Sequence, residues 1–264
     1  MKLYPHGGME TEIRQLAGRL RDAQYAVALT GAGVSTESGI PDFRSPDSGL
    51  WARADPEVVA SVEGFQRDPE GFYEFWTWRF PKLKDAQPNA THRLLAELER
   101  QGMIQAVITQ NIDGLHRDAG SQTVREVHGT YRQGVCVACG HLVPIEAVFE
   151  QVQSGGLPYC KRCDGLIKPD VVLFGEMLPE AFLDAQADAE RADLLLALGS
   201  SLEVHPVAGL VPRAQGSGAR VAIANRDPTP YDDLADVVIH DDLGPVVDQL
   251  ADALGIPLAP SDGP

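Results

Sequence analysis

The chain is organised around the stretch TGAGVSTESGIPDFR, which runs from Thr30 to Arg44. The apolar residues just before it, YAVAL at 25–29, have the length and composition of a buried strand. Gly31 and Gly33 then let the backbone turn sharply and approach a ligand without a side chain in the way. A strand, a glycine turn and unpaired backbone amides together form a cradle for phosphate. The stretch therefore predicts a phosphate-binding turn at the end of a strand.

The spacing of this turn departs from the dinucleotide fingerprint of hydride-transfer enzymes. Thr36 stands where the third glycine of that fingerprint belongs. A strand ending in an acidic residue, which would bind the ribose, does not follow about twenty residues later. On spacing alone, the turn is as compatible with a tight connection as with a cofactor site.

The composition is that of an ordinary globular protein of 264 residues, with 44% hydrophobic and 23% charged residues. This length supports one substantial core and a small inserted module. No window approaches the roughly 20 apolar residues of a membrane span, and the first residues lack the apolar core of a signal peptide. We therefore expect a cytoplasmic protein without a membrane partner, and we separately expect it to be a monomer.

The net charge of −16 argues against nucleic acid as a direct partner, because the phosphates would be repelled. An acidic surface is compatible with basic, lysine-bearing protein segments as partners. Solubility alone is the simpler explanation of the charge.

The four cysteines form two close pairs, Cys136-x2-Cys139 and Cys160-x2-Cys163, that enclose twenty residues. This spacing matches a tetrahedral zinc ribbon. Four thiolates fill the coordination sphere and leave no position for water or substrate, so the predicted zinc is structural. Redox dithiols or disulfides are the alternative.

Strands alternate with helices along most of the chain, which predicts a mostly parallel sheet covered by helices on both faces. Further strands are predicted at 106–109, 124–127, 194–198, 220–224 and 237–239, an extended run at 171–174, and helices at 8–22, 91–101, 178–191, 206–215 and 245–254. The interpretation is an α/β, Rossmann-like domain made of 1–44, 89–130 and 168–256, with a helical insertion at 45–88, a zinc-binding module at 131–167 and a loose tail at 257–264. The insertion holds most of the aromatic residues, which predict either core or the wall of an apolar substrate channel.

Polar residues follow the predicted strands directly, at 110–116, 128–130, 199–201 and 225. In open parallel sheets, the residues beyond the carboxyl ends of the strands line the ligand crevice. His128 can serve there as a general base, because an imidazole with a pKa near 6.5 accepts a proton at neutral pH. A histidine after a strand is more often structural, and three others have the same claim to the role: His92, His116 and His205.

The string GAGVSTESGIPDFR closely resembles the cofactor-binding segment of the sirtuins, the NAD-dependent protein-lysine deacylases. Other matches follow in family order: TQNIDGLH at 109–116, HGT at 128–130, VLFGE at 172–176 and GSS at 199–201. The resemblance spans about Tyr25 to Leu243, and its motifs together are far more specific than any one alone. It implies NAD as the cofactor and acyl-lysine-bearing proteins or peptides as partners.

The resemblance implies a role for each matching residue. His128 would be the catalytic base, with Asn111 and Asp113 completing the catalytic group. A helix cap and a turn explain Asn111 and Asp113 equally well when each is taken alone. The implied NAD contacts are Gly31, Ala32, Gly33, Ser35, Thr36, Asp42, Phe43, Arg44, Gln110, Asn111, Ile112, Asp113, Gly199, Ser200, Ser201, Asn225, Asp242 and Leu243. The implied contacts with the acyl-lysine substrate are Val172, Phe174, Gly175, Glu176, Trp76 and Arg79.

The implied reaction is deacetylation, in which the acyl group passes from lysine to ADP-ribose and nicotinamide and O-acetyl-ADP-ribose are released. The amide oxygen would capture the ribose carbon in a dry tunnel as an alkylimidate, and His128 would take a proton through the ribose hydroxyls. Phe43 would shield this intermediate from returning nicotinamide, while Asp42 and Arg44 would organise the loop and the phosphates.

The acyl group and the reaction class leave alternatives. Sirtuins that remove succinyl or malonyl groups carry Tyr-x-x-Arg where this chain has Trp76-x-x-Arg79. Arg79 is compatible with binding an acyl carboxylate and with being a solvated helix residue. An NAD-dependent mono-ADP-ribosyltransferase and a non-catalytic zinc-ribbon interaction protein are the other candidates, and the acidic charge counts against the second.

Overall fold

The structure, a computed structural model, describes residues 8–43, 49–52 and 54–258. Its strands are β1 (Ala26–Thr30), β2 (Ala106–Thr109), β3 (Val124–Glu126), β4 (Gly129–Cys136), β5 (Leu142–Pro144), β6 (Ile167–Val171), β7 (Leu194–Leu198), β8 (Arg220–Ala224) and β9 (Val237–Ile239). Its α-helices are α1 (Met9–Asp22), α2 (Pro56–Val59), α3 (Val62–Arg67), α4 (Pro69–Asp85), α5 (Ala90–Arg100), α6 (Leu115–Asp118), α7 (Ile145–Gln153), α8 (Ala181–Arg191), α9 (Leu210–Gly216) and α10 (Leu243–Leu254).

The larger sheet has six strands in the order β3-β2-β1-β7-β8-β9, and all neighbouring pairs are parallel. The chain begins in the middle of the sheet, builds one side through β2 and β3, and builds the other through β7 to β9. Thr30, the last residue of β1, is in register with Thr109 on one side and with Leu198 on the other. The strand order reverses between β1 and β7, which is where open α/β sheets bind ligands. The predicted Rossmann-like parallel sheet is confirmed.

Alternate residues of β1 pack against opposite layers of helices. Ala26 and Ala28 belong to the core shared with α1, α5 and α10, whereas Val27 and Leu29 belong to the core shared with α8 and α9. All residues of the strand are buried, as expected for a parallel strand covered on both faces. Helices therefore cover both faces of the sheet, as predicted.

A smaller antiparallel sheet, in the order β5-β4-β6, carries the cysteines. A third core joins this sheet and α7 to the aromatic residues of α4. Phe72 and Trp76 are buried in it, and Phe80 stacks on Phe149 of α7 with 4.0 Å between ring centroids. The aromatic cluster of the insertion is therefore mainly core.

The strand β6 ends at Val171, where the predicted extended run begins, and it pairs with β4 rather than with the large sheet. Beyond it, Phe174 makes an isolated bridge to Ser61. Pro169 hides this strand in the sequence, because proline argues against a strand except at a sheet edge, and β6 is an edge strand. The small sheet extends past both ends of 131–167, and the domain boundaries stay predictions.

Among the described residues, no helix combines the length and the apolar character that crossing a bilayer requires.

Candidate active site

A cavity of about 410 Å³ opens at the carboxyl edge of the large sheet. Its walls come from the segments that follow β1, β2, β3, β7, β8 and β9, from the loop after β6, and from α4. The predicted residues that line it are Gly31, Ala32, Gly33, Thr36, Asp42, Phe43, Trp76, Arg79, Gln110, Asn111, Ile112, His128, Val172, Phe174, Gly175, Glu176, Gly199, Ser200, Ser201, Asn225, Asp242 and Leu243. The structure thus gathers residues from five separate motifs around one space, while their individual roles stay predictions.

The turn after β1 and the turn after β7 are in direct contact. The N–H of Gly31 donates to the carbonyl of Leu198 at 3.1 Å, and the N–H of Gly33 donates to the carbonyl of Gly199 at 2.9 Å. A Cβ on Gly31 would lie 2.8 Å from the Gly199 oxygen, and one on Gly33 would lie 2.9 Å from the Gly199 Cα. The amides of Gly31 and Gly33, which the sequence analysis predicted to bind phosphate, therefore hold the two turns together instead. Glycine is required here because two backbones approach each other.

Asn111, directly after β2, is held by hydrogen bonds to the glycine turn. Its Nδ2 donates to the carbonyl oxygen of Gly31 and to the hydroxyl of Ser35, both at 3.0 Å. Ser35 in turn donates to Oδ2 of Asp113 at 2.8 Å. Side chains from two neighbouring strand ends therefore form one buried network, which fixes the orientation of the Asn111 amide.

Asp113 and Ser35 lie behind the cavity wall. Asp113 is 4% exposed, and its Oδ1 accepts the N–H of Leu115 at 2.9 Å, an Asx turn directly before α6. Burial raises the pKa of Asp113, and its hydrogen bonds to Leu115 and Ser35 oppose that rise. The position of Asp113 is therefore compatible with both predicted roles, the structural one at a turn and the functional one in the catalytic group.

His128 lines the cavity, and one of its two ring nitrogens already makes a hydrogen bond. Its Nδ1 lies 3.1 Å from the carbonyl oxygen of Gln110. A carbonyl can only accept, so Nδ1 carries the proton and Nε2 keeps its lone pair. Burial lowers the pKa of His128, and the hydrogen bond to Gln110 opposes this. The imidazole is neutral at pH 7 and is chemically suited to accept a proton.

The other three candidate histidines have different surroundings. His92 and His116 are buried side by side, with 4.7 Å between ring centroids. Nε2 of His116 lies 2.9 Å from Oγ1 of Thr30, and Nδ1 of His92 lies 3.0 Å from Oδ1 of Asn89, the cap of α5. His92 and His116 therefore pack beneath the glycine turn and have a structural role. His205 is exposed at the cavity rim.

We expect the buried pair of histidines to make the fold acid-labile. Burial lowers the pKa of His116 to about 3, and it also lowers the pKa of His92. The unfolded chain, with a pKa near 6.5, then binds more protons than the folded chain, so stability is lost as the pH falls below 6.5. For His116 alone, the free energy of unfolding at about pH 5 is about 2 kcal/mol lower than at about pH 7.5. Urea unfolding at the two pH values measures this loss.

The variant His116→Gln isolates the effect, because it removes the titrating group and keeps a polar side chain. Its stability should depend less on pH than that of the wild type. The matched control is His141→Gln, on a half-buried histidine of the small sheet. The expectation is wrong if wild type and His116→Gln lose equal stability on acidification.

Trp76 and Arg79 of α4 bring two unpartnered donors to the cavity. Neither Nε1 of Trp76 nor Nε of Arg79 has a hydrogen-bond partner in the described part of the chain, and both atoms are shielded from solvent. The guanidinium carbon lies 5.3 Å from the centroid of the Trp76 ring and 5.4 Å from that of Phe43. Burial lowers the pKa of Arg79 to about 10, so the group is still a cation at neutral pH. A guanidinium whose Nε has no acceptor in the described ranges favours the binding of an anion at this wall, although the nearby Asp113 carboxylate already offsets part of its charge.

Some cavity residues were missed by the sequence analysis. Most of them adjoin a predicted segment: Trp51, Val59, Ala60, Val171, Leu173, Leu178, Arg226, Asp227 and Asp241. Val204 and Pro206 lie beyond the GSS motif that follows β7, and His205 beside them was considered only as a candidate base. Extending each strand end by a few more residues would have found the polar ones, because they follow β7, β8 and β9. The predicted contact Arg44 lies outside the described residues.

The order of the strands makes this cavity fit an elongated polar ligand. Carboxylates at one end, from Asp227, Asp241 and Asp242 after β8 and β9, can accept hydrogen bonds from ribose hydroxyls. The glycine turns of β1 and β7 leave bare backbone in the middle. Asn111 and His128, after β2 and β3, stand at the other end. This set of groups fits a dinucleotide such as NAD.

The four cysteines converge at one end of the small sheet. Their sulfur atoms all lie within 4.8 Å of one another, with 3.5 Å between Cys136 and Cys163 and 3.9 Å between Cys139 and Cys160. Zinc–sulfur bonds of about 2.3 Å give a thiolate tetrahedron with edges of about 3.8 Å. A disulfide would need about 2.05 Å between sulfurs. The set therefore fits one structural zinc ion.

The Sir2 family model matches residues 31–206, which include every strand end around the cavity up to the turn after β7. The chain belongs to the Sir2 family. Among relatives of this Sir2-family chain, the NAD-dependent protein deacetylase 1 of Geobacillus kaustophilus is 46% identical over 237 residues, which cover 89% of this chain and 96% of the relative.

Solved Sir2 structures share the fold of this family member. A Sir2 complex with a p53 peptide and NAD+ has a TM-score of 0.86 and 38% identity, and the match covers 92% of this chain and 98% of that one. A Sir2 variant with a deacetylated p53 peptide and 3′-O-acetyl-ADP-ribose has a TM-score of 0.88 and 40% identity, covering 93% and 99%. The Sir2-family resemblance read from the motifs is confirmed.

Proposed function

We propose that this Sir2-family chain is an NAD-dependent protein-lysine deacetylase. It transfers the acetyl group of a lysine side chain to ADP-ribose and releases nicotinamide and O-acetyl-ADP-ribose. The observation that carries the proposal is the single cavity that His128 shares with the glycine turn of β1 and with Asn111. The name of the Geobacillus relative and the solved Sir2 complexes with NAD+ and with O-acetyl-ADP-ribose support it.

His128 is the general base in this proposal. The hydrogen bond from Nδ1 to Gln110 orients the ring and leaves Nε2 to take a proton from a hydroxyl of the bound substrate. Burial keeps the imidazole neutral, because it lowers the pKa of His128. The side chain of Gln110 also donates to Oγ of Ser200 at 2.9 Å, which ties the base to the turn after β7.

Bound NAD supplies the electrophilic ribose carbon that the acyl oxygen captures as nicotinamide leaves. The protein positions the reactants and excludes water from them, because an amide oxygen is a weak nucleophile and reacts only when it is held in place away from water. Asn111 orients substrate through an amide fixed by Gly31 and Ser35. Phe43 and Trp51, with 5.0 Å between ring centroids, form an aromatic cover over the reacting end.

The acyl-lysine peptide binds to the loop after β6 as an added strand. Val172, Phe174 and Gly175 line the cavity there, and the side chain of Phe174 is 54% exposed. Zinc takes no part in the chemistry and holds the small sheet together. The finer proposals are a cytoplasmic location, a monomeric state and the absence of a nucleic-acid partner. Cysteines grouped as metal ligands suit a reducing compartment, and the acidic charge argues against binding to nucleic acid.

The test is incubation with an acetyl-lysine peptide, with and without NAD, followed by mass measurement of all products. We expect the deacetylated peptide and O-acetyl-ADP-ribose in equal amounts, and neither without NAD. ADP-ribose fixed to protein with the peptide still acetylated would favour a mono-ADP-ribosyltransferase instead. Nicotinamide release without either product would contradict both.

A second candidate activity is the removal of succinyl or malonyl groups. It is favoured by Arg79, a cation that lines the cavity and whose Nε has no hydrogen-bond acceptor in the described ranges. The indole Nε1 of Trp76 is also unpartnered there. Two donors at one wall suit the carboxylate of an acidic acyl group, even though the tyrosine of the Tyr-x-x-Arg pair is missing.

The variant Arg79→Met tests this role through a ratio of substrates. We expect the kcat/KM for a succinyl-lysine peptide, divided by that for the acetyl-lysine peptide, to fall by about 30-fold, because the acyl carboxylate loses the cation that pairs with it. The control is Lys82→Met on the exposed side of α4, which should leave the ratio unchanged. An unchanged ratio in Arg79→Met would show that Arg79 does not bind the acyl carboxylate.

A further inference from the structure

The segment from Lys168 to Glu176 contains an ion pair between a buried lysine and a half-buried glutamate, which the proposed chemistry does not use. Nζ of Lys168 lies 3.1 Å from Oε2 of Glu176, and the side chain of Lys168 is only 7% exposed. Nζ also donates to the carbonyl oxygen of Val171 at 2.7 Å. Burying a lysine is costly unless its charge is paired and hydrogen-bonded, as it is here.

Glu176 uses the same oxygen to close the loop after β6. Its Oε2 accepts the N–H of Leu173 at 2.8 Å, and its own N–H donates to the Leu173 carbonyl at 3.0 Å. Between these contacts, Gly175 has a φ of +94°, in the left-handed region that favours glycine. Lys168 therefore joins the base of the loop, at Val171, to its far end, at Glu176.

The loop that this pair closes connects two walls of the active site. The N–H of Val172 donates to the carbonyl oxygen of His128 at 2.9 Å. The N–H of Phe174 donates to the carbonyl of Ala60 at 2.7 Å, and the N–H of Val62 donates to the carbonyl of Phe174 at 3.0 Å. A change in the loop would alter the surface against which the acyl-lysine peptide pairs.

We propose that Lys168 and Glu176 are positioning residues, which hold the 172–175 loop in the conformation that binds the acyl-lysine peptide. Glu176 acts through the backbone of Leu173 rather than by recognising the substrate, and Lys168 acts through Glu176. The inference rests on the proposed deacylase function. It assigns to Lys168, which contacts the cavity only through its partners, a role in peptide affinity.

The kinetic test compares Lys168→Met and Glu176→Gln with the wild type. We expect KM for the acetyl-lysine peptide to rise about tenfold, the factor for losing one charge-assisted hydrogen bond, while KM for NAD and kcat change less than about twofold. Lys168→Arg, which keeps the cation, should restore most of the peptide affinity. Lys161→Met is the matched control, because it removes an exposed lysine of the same small domain. A parallel rise in both KM values would overturn the proposal, since it would indicate general loss of structure.

Hydrogen exchange at the Leu173 amide gives a second readout that needs neither substrate nor turnover. We expect faster exchange in Lys168→Met and Glu176→Gln, and wild-type exchange in Lys161→Met. If the wild type deacylates no peptide, the proposed function fails, and faster exchange would still support the loop contact. Unchanged exchange in both variants would overturn it whatever the activity.

Discussion

Replacing His128 with alanine is expected to lower kcat for deacetylation by about 100- to 10,000-fold, the range of general-base catalysis. The His128 imidazole lines the cavity with its Nε2 free of the Gln110 hydrogen bond, and it is neutral at pH 7 because burial lowers its pKa. Affinity for NAD should be nearly unchanged, since the glycine turns after β1 and β7 do not contact the ring through hydrogen bonds. Calorimetric titration with NAD and single-turnover product formation measure the two quantities separately.

The backbone contact of His128 reduces the structural effect of the substitution. Its carbonyl oxygen accepts the N–H of Val172, and this backbone contact survives the change to alanine. The control His141→Ala removes an imidazole from the small sheet, and its kcat should remain within about threefold of the wild type. Normal turnover in His128→Ala would remove His128 from the role of base. A loss of NAD binding equal to the loss of turnover would also contradict it.

Removal of zinc is expected to unfold the small sheet and to abolish deacetylation. Structural zinc contributes about 10–16 kcal/mol of binding free energy in isolated zinc peptides, far more than a sheet of three short strands can replace. The loss reaches the active site because β4 begins at Gly129, next to His128, and pairs there with Val171 of β6. The measurements are zinc content per chain, thermal unfolding and activity before and after chelation.

The variant Cys163→Ser makes the same test without a chelator, and it should bind less than one zinc per chain and lose activity. The control Ala138→Ser places a hydroxyl in the other cysteine turn, between Cys136 and Cys139, and removes no ligand. Activity after chelation should return with Zn²⁺ and not with Mg²⁺, because thiolates prefer the softer ion. Zinc-free protein with an unchanged melting temperature and normal turnover would refute a structural zinc.

The sequence was sufficient where a local pattern has one structural meaning. The apolar run before Thr30 could only be a buried strand once the glycine turn followed it, and all residues of β1 are buried. The cysteine spacing predicted four converging sulfurs, and they lie within 4.8 Å. The rule that ligands bind beyond the carboxyl ends of parallel strands then located the cavity.

Contacts that depend on how the chain bends or packs could not be predicted from local patterns. The pairing of Lys168 with Glu176 depends on the bend of the loop after β6, which no pattern announces. The amides of Gly31 and Gly33 looked available for phosphate, but the turn after β7 takes both, and that turn follows β1 by more than 160 residues. The surroundings of Arg79 likewise depend on how α4 packs against the segment that holds Phe43.

The most direct test of the central claim is a crystal structure with NAD and an acetyl-lysine peptide bound together. We predict that a hydroxyl of the nicotinamide ribose lies about 2.6–3.2 Å from Nε2 of His128, directly or through one water, and that the acetyl oxygen faces the same sugar. Asn111 should lie beside that ribose. A dinucleotide bound with its ribose away from both residues, or a peptide bound away from the loop after β6, would contradict the account.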